Sequence, residues 1–223
     1  MRSVLFYGTD FADFMNGTQH LFISFLLCLA GMPALQGQTY REEIAGYREK
    51  QLEELTAGPG SPLRPEDAAG IFFFDADTRY VVKARVELLK GEKPFSMTTY
   101  AGTTKEFIRY ARLHFEAGGV KGTLTAYRDL GIPGPLARVR NILFIPFKDK
   151  TNGGQTYGGG RYLDLAIPAQ AGEVLLDFNK AYNPYCAYSD GYQCPIPPQE
   201  NHLPVEIPAG EKKYTGAIRK RSS

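Results

Sequence analysis

The sequence predicts a mainly β protein, an antiparallel meander of about nine strands that closes as a barrel or sandwich, with one N-terminal helix. Three observations predict this fold. From about residue 71 onward, apolar residues recur at every second position in short runs, as they do in half-buried strands. Glycine (24 residues) and proline (15 residues) punctuate these runs, as turns require. The strand-like runs do not alternate with helical segments, as they would in a parallel α/β fold.

The composition of the 223-residue chain is that of a globular protein, with 43% hydrophobic and 22% charged residues. It therefore supports a sizeable core. The 26 basic and 24 acidic residues leave a net charge of +2. So small an excess carries no electrostatic signature of nucleic-acid binding, and we expect no nucleic-acid partner.

The apolar segment 21–32 has the length of a signal-peptide core. It contains no charged residue and is shorter than the roughly 20 residues that a membrane-spanning helix needs. We expect residues 1–37 to be a signal peptide, which leaves no transmembrane span in the mature chain and makes it periplasmic or secreted. The alternative is a buried core helix. A start at Met15 would make residues 1–14 a mis-assigned extension.

A helix is predicted over Thr39–Leu55, inside a helix-and-linker segment of residues 38–60. Thr39 and Glu42 have the spacing of a capping box. Apolar residues recur at helical spacing after them, and Gly58-Pro59-Gly60 ends the pattern. We expect this helix to pack on the β domain rather than to bind a partner.

The β domain is expected over residues 61–215 and is followed by a basic tail, 216–223. Two long loops, 148–160 and 180–202, interrupt its strands. Because long loops in compact domains are commonly functional, we expect any site to lie in them. The nine predicted strands are Ile71–Asp75, Arg79–Leu89, Phe95–Tyr100, Glu106–Glu116, Val120–Tyr127, Asn141–Phe147, Arg161–Ile167, Glu173–Asn179 and Leu203–Pro208.

A polar cluster is predicted near the C-terminal end of the domain. If strands 161–167 and 173–179 pair through the turn between them, Asp164 and Asp177 lie on one side of the sheet. Carboxylates beside an arginine can bind a polar ligand or perform acid–base chemistry. The alternative is that these side chains only cap loop amides. The candidate ligand-binding residues are Arg161, Asp164, Asp177, Asn179, Asn183, Glu200 and Asn201.

Cys186 and Cys194 are the two cysteines that remain after residues 1–37 are removed. An even count in an exported protein favours a disulfide bond between them. The alternatives are free structural thiols, a zinc site that adds His202 and Glu200, and a catalytic thiol activated by His202. The seven residues between the cysteines fit structural zinc poorly, and we expect no metal.

The glycine-rich segment 153–160 lacks the Gly-Lys-Ser/Thr ending of a phosphate-binding loop, and a predicted strand follows it instead of a helix. We therefore expect it to bring two backbone segments close together. No cofactor is expected.

Five sequence words mark the C-terminal part of the chain. They are F-x-P-F-x-D-x-T from Phe144, T-Y-x-x-G-R-Y-L-D from Thr156, D-F-N-x-A-Y-N-P-x-C-A-Y-S from Asp177, C-P-x-P-P-x-E-N from Cys194 and A-G-E-K from Ala209. Through these words the chain resembles a prokaryotic family of uncharacterised proteins, domain of unknown function family 1684. The resemblance implies a grouping and no activity.

The expected function is that of an extracytoplasmic, non-catalytic module that binds a small polar ligand or a cell-envelope partner. The alternatives are a hydrolase-type enzyme that uses the carboxylate and arginine cluster, and a structural envelope protein. A groove lined by Tyr157, Tyr185 and Tyr188 would favour binding. A deep polar pocket that holds a carboxylate with a raised pKa would favour an enzyme. A filled, fully hydrogen-bonded cluster would favour the structural alternative.

Export predicts that the mature protein starts near Gln38. Protein purified from its native host should show this terminus by intact-mass spectrometry, because the signal peptidase cleaves after a small residue that follows the apolar segment. Soluble cytoplasmic protein that keeps Met1 or Met15 would contradict the prediction.

Overall fold

The computed structural model describes residues 32–58, 60–131, 141–168 and 170–220. Most of the predicted signal peptide, all of residues 1–14 and the last three residues of the predicted tail lie outside these ranges. The chain divides into two compact units, Met1–Glu42 and Glu43–Ser223, and the sheet belongs to the second. Within the described ranges, no helix combines the length and apolar character needed to cross a membrane.

The helix α1 spans Met32–Thr56. It begins seven residues before Thr39, so the predicted capping box at Thr39 is wrong. The segment that precedes Thr39 can join the helix because its proline, Pro33, falls in the first turn, where a missing N–H is tolerated. In the second unit, Ile44 and Leu55 of α1 are buried.

In the part of the chain that the structure describes, seven antiparallel strands form one sheet, which is an open, curled half-barrel. Its order is β6-β5-β4-β3-β1-β7, and β2 pairs with the beginning of β3 beside β1. The mainly β, antiparallel class is confirmed, whereas the predicted closed barrel or sandwich of nine strands is not: the described residues form an open sheet of seven strands. The strands are β1 (Val81–Leu88), β2 (Phe95–Thr98), β3 (Thr104–Ala117), β4 (Val120–Asp129), β5 (Ile142–Phe147), β6 (Arg161–Ala166) and β7 (Glu173–Asp177).

Two of the predicted strands, Ile71–Asp75 and Leu203–Pro208, do not join the sheet, and their apolar residues pack against other parts of the protein instead. In the predicted strand Ile71–Asp75, Phe73 makes one isolated bridge, to Glu211. In Leu203–Pro208, Leu203 and Ile207 are buried in the core without joining the sheet. An alternating apolar pattern marks residues that face a core, and it does not show whether their backbone finds a neighbouring strand.

The main core lies between one face of the sheet and the C-terminal segment that follows β7. From that segment, Phe178, Ala181, Leu203, Ile207 and Ala209 pack on the sheet. The sheet contributes alternate residues of its strands, as the period of two requires. They include Ala84, Val86, Leu113, Phe115, Leu124, Ala126, Leu143, Ile145, Phe147, Leu163 and Leu176.

A β-bulge in β3 redirects one aromatic side chain. The register between β3 and β4 shifts between Arg109 and Ala111, so one extra residue of β3 is accommodated there. Ala111 faces the main core, whereas Phe107 packs in a separate cluster with Tyr127 and Phe144. The bulge therefore supplies an aromatic ring to the sheet face opposite the main core.

The side chain of Arg161 is fully buried at the start of β6. Its Nη2 donates to Asp149 Oδ2 at 2.7 Å and to the carbonyl of Ile207 at 2.8 Å. Its Nη1 donates to the carbonyls of Ala209 and Glu211. Both charged side chains of the pair are 0% exposed. The guanidinium thus fastens the C-terminal segment to β6 and to the loop after β5.

Substituting Arg161→Ala should lower the free energy of unfolding by about 3–5 kcal/mol, because it leaves the Asp149 carboxylate buried and unpaired. The matched control is Arg85→Ala, on an exposed position of β1, which should change stability by less than about 0.5 kcal/mol. Urea denaturation of the two variants measures the difference. Equal losses in both would show that the buried pair has no special role in stability.

Candidate functional site

A large cleft lies against the sheet face opposite the main core. Its volume is about 1030 Å³, at the upper end of the roughly 300–1,000 Å³ typical of small-molecule sites. It is bounded by β4, β5 and β6, by the part of α1 after Glu43, and by the C-terminal segment. Its lining includes Tyr47, Gln51, Glu54, Lys105, Phe107, Arg128, Asp129, Phe144, Tyr162, Asp164, Tyr182, Asn183, Tyr185, Tyr192 and Cys194.

Four aromatic rings run along one side of the cleft in an unbroken series. Phe107 stacks on Phe144 with ring centroids 5.6 Å apart, and Phe144 meets the edge of Tyr162 at 4.7 Å. Tyr162 in turn contacts Tyr182 at 5.8 Å. Phe144 and Tyr162 lie on one sheet face because their neighbours Leu143 and Leu163 point to the core on the other. Phe107 and Tyr162 are buried within the wall, so the rings of the series that the cleft can present to a ligand are those of Phe144 and Tyr182, which are partly exposed.

A disulfide bond holds another wall of the cleft. Cys186 and Cys194 are bonded with their Cα atoms 6.3 Å apart, as the sequence predicted, so neither thiol is free for zinc or for nucleophilic catalysis. The loop that it closes carries Tyr192, whose ring lies 5.1 Å from that of Tyr185. Tyr162 Oη donates to the carbonyl of Pro195 at 2.5 Å, which anchors the end of this loop to β6.

Asp164 places an exposed carboxylate in the cleft. The hydroxyl of Tyr182 donates to Asp164 Oδ1 at 3.2 Å. Burial, with a smaller effect of the Asp164 charge, raises the pKa of Tyr182 well above its usual value. Burial and the nearby Asp164 charge also raise the pKa of Tyr47 to about 12. Both tyrosines therefore remain neutral near pH 7 and can donate hydrogen bonds.

Glu211 lies completely buried behind the cleft wall. Its Oε1 accepts from the Tyr188 hydroxyl, and its Oε2 accepts from the backbone N–H of Asn183 at 2.9 Å and from Gln51 Nε2 at 3.4 Å. Burial raises the pKa of Glu211 to about 7, although the hydrogen bonds from Asn183 and Tyr188 and the Arg161 charge oppose the shift. The carboxyl is held by neighbouring groups and does not line the cleft.

Two amide oxygens beside Glu211 have no hydrogen-bond partner among the described residues. They are Oε1 of Gln51 and Oδ1 of Asn183, and both atoms are buried. Both residues line the cleft. Because neither oxygen is accessible to solvent, both lie inside the wall, and the acceptor that the wall presents to the cleft is the exposed Asp164 carboxylate.

The comparisons with known proteins give a family. The profile of the family described as "Protein of unknown function (DUF1684)" matches residues 66–212, about two thirds of the chain. The chain belongs to this family. The solution NMR structure of the uncharacterized protein from gene locus rrnAC0354 of Haloarcula marismortui is similar, with 33% identity and a TM-score of 0.61. The similarity covers 79% of this chain and 96% of that protein. No curated protein matches the chain.

The predicted cluster around Arg161 is not assembled in this DUF1684 protein. β6 and β7 lie at opposite ends of the sheet order, so the pairing that was to join Asp164 and Asp177 is absent. Arg161 shares the core face of β6 with Leu163, whereas Asp164 faces the cleft. The charge partner of Arg161 is Asp149, which sequence reasoning did not select.

The other predicted residues divide between structural contacts and the cleft. Asp177 Oδ1 accepts from the backbone N–H of Asn179 at 3.0 Å, and the Asn179 side chain bonds both backbone polar groups of Asp77. Both residues therefore act as turn caps, the alternative stated above for this cluster. Of the seven predicted ligand-binding residues, Asp164 and Asn183 line the cleft.

Glu200 and Asn201 do not line the cleft. Glu200 Oε1 accepts from Tyr127 Oη at 2.5 Å and from Arg109 Nε at 2.9 Å. The buried Asn201 side chain bonds both backbone polar groups of Thr125 and the carbonyl of Pro146. It thereby joins β4 to β5 where their own pairing is sparse.

Sequence reasoning missed the cleft tyrosines Tyr47, Tyr162 and Tyr182, and the buried Glu211. Of the predicted aromatic groove, only Tyr185 lines the cleft, and Tyr188 is buried against Glu211. A signal for Glu211 was present, because an acidic residue in the word A-G-E-K stands directly after an apolar run.

No metal site is evident in the described part of the chain, where no three His, Cys, Asp or Glu side chains could hold an ion together. The glycine-rich loop does bring backbone segments together, as expected. Gly160 has φ +93°, and a Cβ there would lie 2.6 Å from the carbonyl oxygen of Phe147. Only glycine fits this position.

The raised pKa of Glu211 predicts that stability falls as pH rises. The folded protein holds this proton more tightly than the unfolded chain, whose value is 4.5. The stabilisation is therefore complete below about pH 4.5 and is lost as pH rises through about 7, a change of about 3 kcal/mol at 1.36 kcal/mol per pKa unit.

Urea denaturation between pH 5 and 8 measures this dependence, and Glu211→Gln should flatten it because glutamine does not titrate. Glu206→Gln, at an exposed position, is the matched control and should keep the wild-type dependence. A Glu211→Gln curve parallel to that of the wild type would contradict the assignment.

Proposed function

We propose that this DUF1684 protein is an extracytoplasmic, non-catalytic module that binds a small polar ligand in the cleft. The observation that carries the proposal is the composition of the lining. One cleft combines partly exposed aromatic rings, such as Phe144 and Tyr182, with a few polar residues, among them Asp164. This is the usual composition of small-molecule binding sites.

The disulfide supports the proposed location. Disulfide bonds persist in oxidising compartments such as the periplasm and the extracellular space. Cys186 and Cys194 are bonded, and their bridge closes the loop that carries Tyr192 of the cleft wall. Reduction of the disulfide would loosen that loop, so the cleft wall depends on a bond that an oxidising compartment maintains.

A binding role agrees better with the geometry than hydrolysis does. The proposed hydrolase needed Arg161 beside Asp164 and Asp177, and the sheet order and the opposite faces of β6 separate them. The carboxyl with a raised pKa, Glu211, is engaged by Tyr188, Asn183 and Gln51. The cleft itself presents groups that orient and stack a ligand.

A thermal-shift screen of neutral sugars, amines, organic acids and short peptides against the mature chain tests the proposal. A ligand should raise the Tm of the wild-type protein. Asp164→Asn should weaken its binding about tenfold or more, because a hydrogen bond to a charged group contributes about 1.5–3 kcal/mol.

The matched control is Asp75→Asn, which makes the same change at an exposed position outside the cleft. It should leave the affinity unchanged. If no compound raises the Tm, or if both variants bind a ligand like the wild type, the cleft is not the proposed site.

A further inference from the structure

The described residues that line the cleft divide by charge into two ends. Lys105, Arg128 and Asp129 lie at one end, on β3 and β4. Asp164 of β6 and Glu54 of α1 lie at the other. Because β5 stands between β4 and β6, neighbouring strands about 4.8 Å apart place Asp164 about 10 Å or more from the basic residues. The cleft is therefore not uniformly neutral.

Two carboxylates lie together at the second end, which we call the acidic end. Burial is the main cause that raises the pKa of Tyr47 to about 12, and the negative charges of Asp164 and Glu54 add to the shift. Both carboxylates therefore lie near the hydroxyl of Tyr47. Glu54 also adds to the effect of burial in raising the pKa of Tyr185. Since Asp164 and Glu54 are both exposed, a ligand in the cleft can reach them.

The basic residues near the acidic end do not offset these charges. Lys180 has its Nζ 5.8 Å from the centre of the Tyr47 ring, but it pairs with Glu43 at 2.7 Å and does not line the cleft. Lys105 and Arg128 stand at the other end, about one Debye length away, where salt screens exposed charges. The described residues thus give the acidic end a net negative charge.

Tyrosine rings line the same end of the cleft. Tyr185 is 38% exposed and meets Tyr192 at an angle of 80°, with ring centroids 5.1 Å apart. Tyr47 and Tyr182 are partly exposed. The hydroxyls of Tyr47, Tyr182 and Tyr192 donate to acceptors within the protein, so these residues offer a ligand their rings and oxygen lone pairs. The faces of such rings attract cations.

We propose that the ligand carries a primary ammonium group that binds at the acidic end of the cleft, which rests on the proposed function of the cleft as a binding site. The ammonium group donates charge-assisted hydrogen bonds to Asp164 and Glu54 and lies against the tyrosine rings. A quaternary ion has no N–H group to donate. A neutral hydroxyl gains no attraction between opposite charges, and an anion is repelled by both carboxylates.

The rest of the ligand extends from the ammonium group along β5. Ile142 is 46% exposed and Phe144 is partly exposed, and both line the cleft beside Asp164. An alkyl or aryl chain that covers these side chains removes apolar surface from water. The ligand class is therefore an amine with an apolar chain.

Three probes with the same chain length test the sign of the ligand charge. Hexylamine, hexanol and hexanoate are titrated into the wild-type protein near neutral pH and followed by calorimetry. Hexylamine should bind about fivefold or more tightly than hexanol, and hexanoate should bind most weakly. The Kd of hexylamine should rise with added salt, because salt screens exposed charges.

Glu54→Gln removes one of the two charges and keeps the size of the side chain. It should raise the Kd of hexylamine about two- to fivefold, as expected for an exposed ion pair, and leave the Kd of hexanol unchanged. The matched control is Glu53→Gln, on the preceding residue of α1, which is exposed and does not line the cleft. It should change neither Kd.

Equal Kd values for the three probes, or a hexylamine Kd that Glu54→Gln changes no more than Glu53→Gln does, overturn the ammonium assignment. If sugars or organic acids from the thermal-shift screen bind and no amine does, this assignment is wrong while the proposed function stands. If no probe binds and no compound raises the Tm, both proposals fail.

Discussion

The guanidinium of Arg161 carries a positive charge where no water reaches it, and burial lowers its pKa while Asp149 opposes the shift. Such a charge is tolerated only when a counter-charge and hydrogen-bond acceptors surround it. The acceptors are Asp149 and carbonyls of the segment from Ile207 to Glu211. This requirement fixes the course of that segment over β6, and with it the position of Glu211. Because Glu211 holds Gln51 and the Asn183 backbone, the polar wall of the cleft depends on the same buried charge.

On β5 and β6, the residues that stabilise the fold and the residues that line the candidate site lie on opposite faces of the sheet. Leu143 and Leu163 belong to the main core, and their neighbours Phe144 and Tyr162 line the cleft. A shift of one residue in register would exchange these sets. The aromatic series therefore depends on the pairing of β5 with β6, which runs without interruption from Ile142 to Phe147. Asn201 holds β5 on its other edge, because its side chain joins Thr125 of β4 to Pro146 of β5.

Local pattern was enough to predict the faces of the strands and the disulfide, but not the arrangement of the strands. In β6 and β7 the residues that alternate with Asp164 and Asp177, for example Leu163 and Leu176, are in the core, as the period of two requires. It could not show that these strands lie at opposite ends of the sheet, because pairing depends on partners distant in sequence. The same limit explains Leu203–Pro208, whose apolar residues cover the core without forming a strand. The burial of Arg161 could have been predicted from the strand alternation, because Arg161 lies on the same face as the core residue Leu163. Its closeness in sequence to Asp164 suggested instead that the two side chains form one polar cluster.

The cleft gives a physical reason to connect binding with stability. A buried amide oxygen without a donor costs about 1–3 kcal/mol, whereas a satisfied one contributes favourably. Gln51 Oε1 and Asn183 Oδ1 are such atoms, and they lie next to Glu211, whose own burial already disfavours its charged form. A ligand that binds the cleft only in the folded state would offset part of this cost by mass action, so binding and folding are thermodynamically linked. Such a ligand would cover the rings of Tyr47 and Tyr182, which are partly exposed in the open cleft.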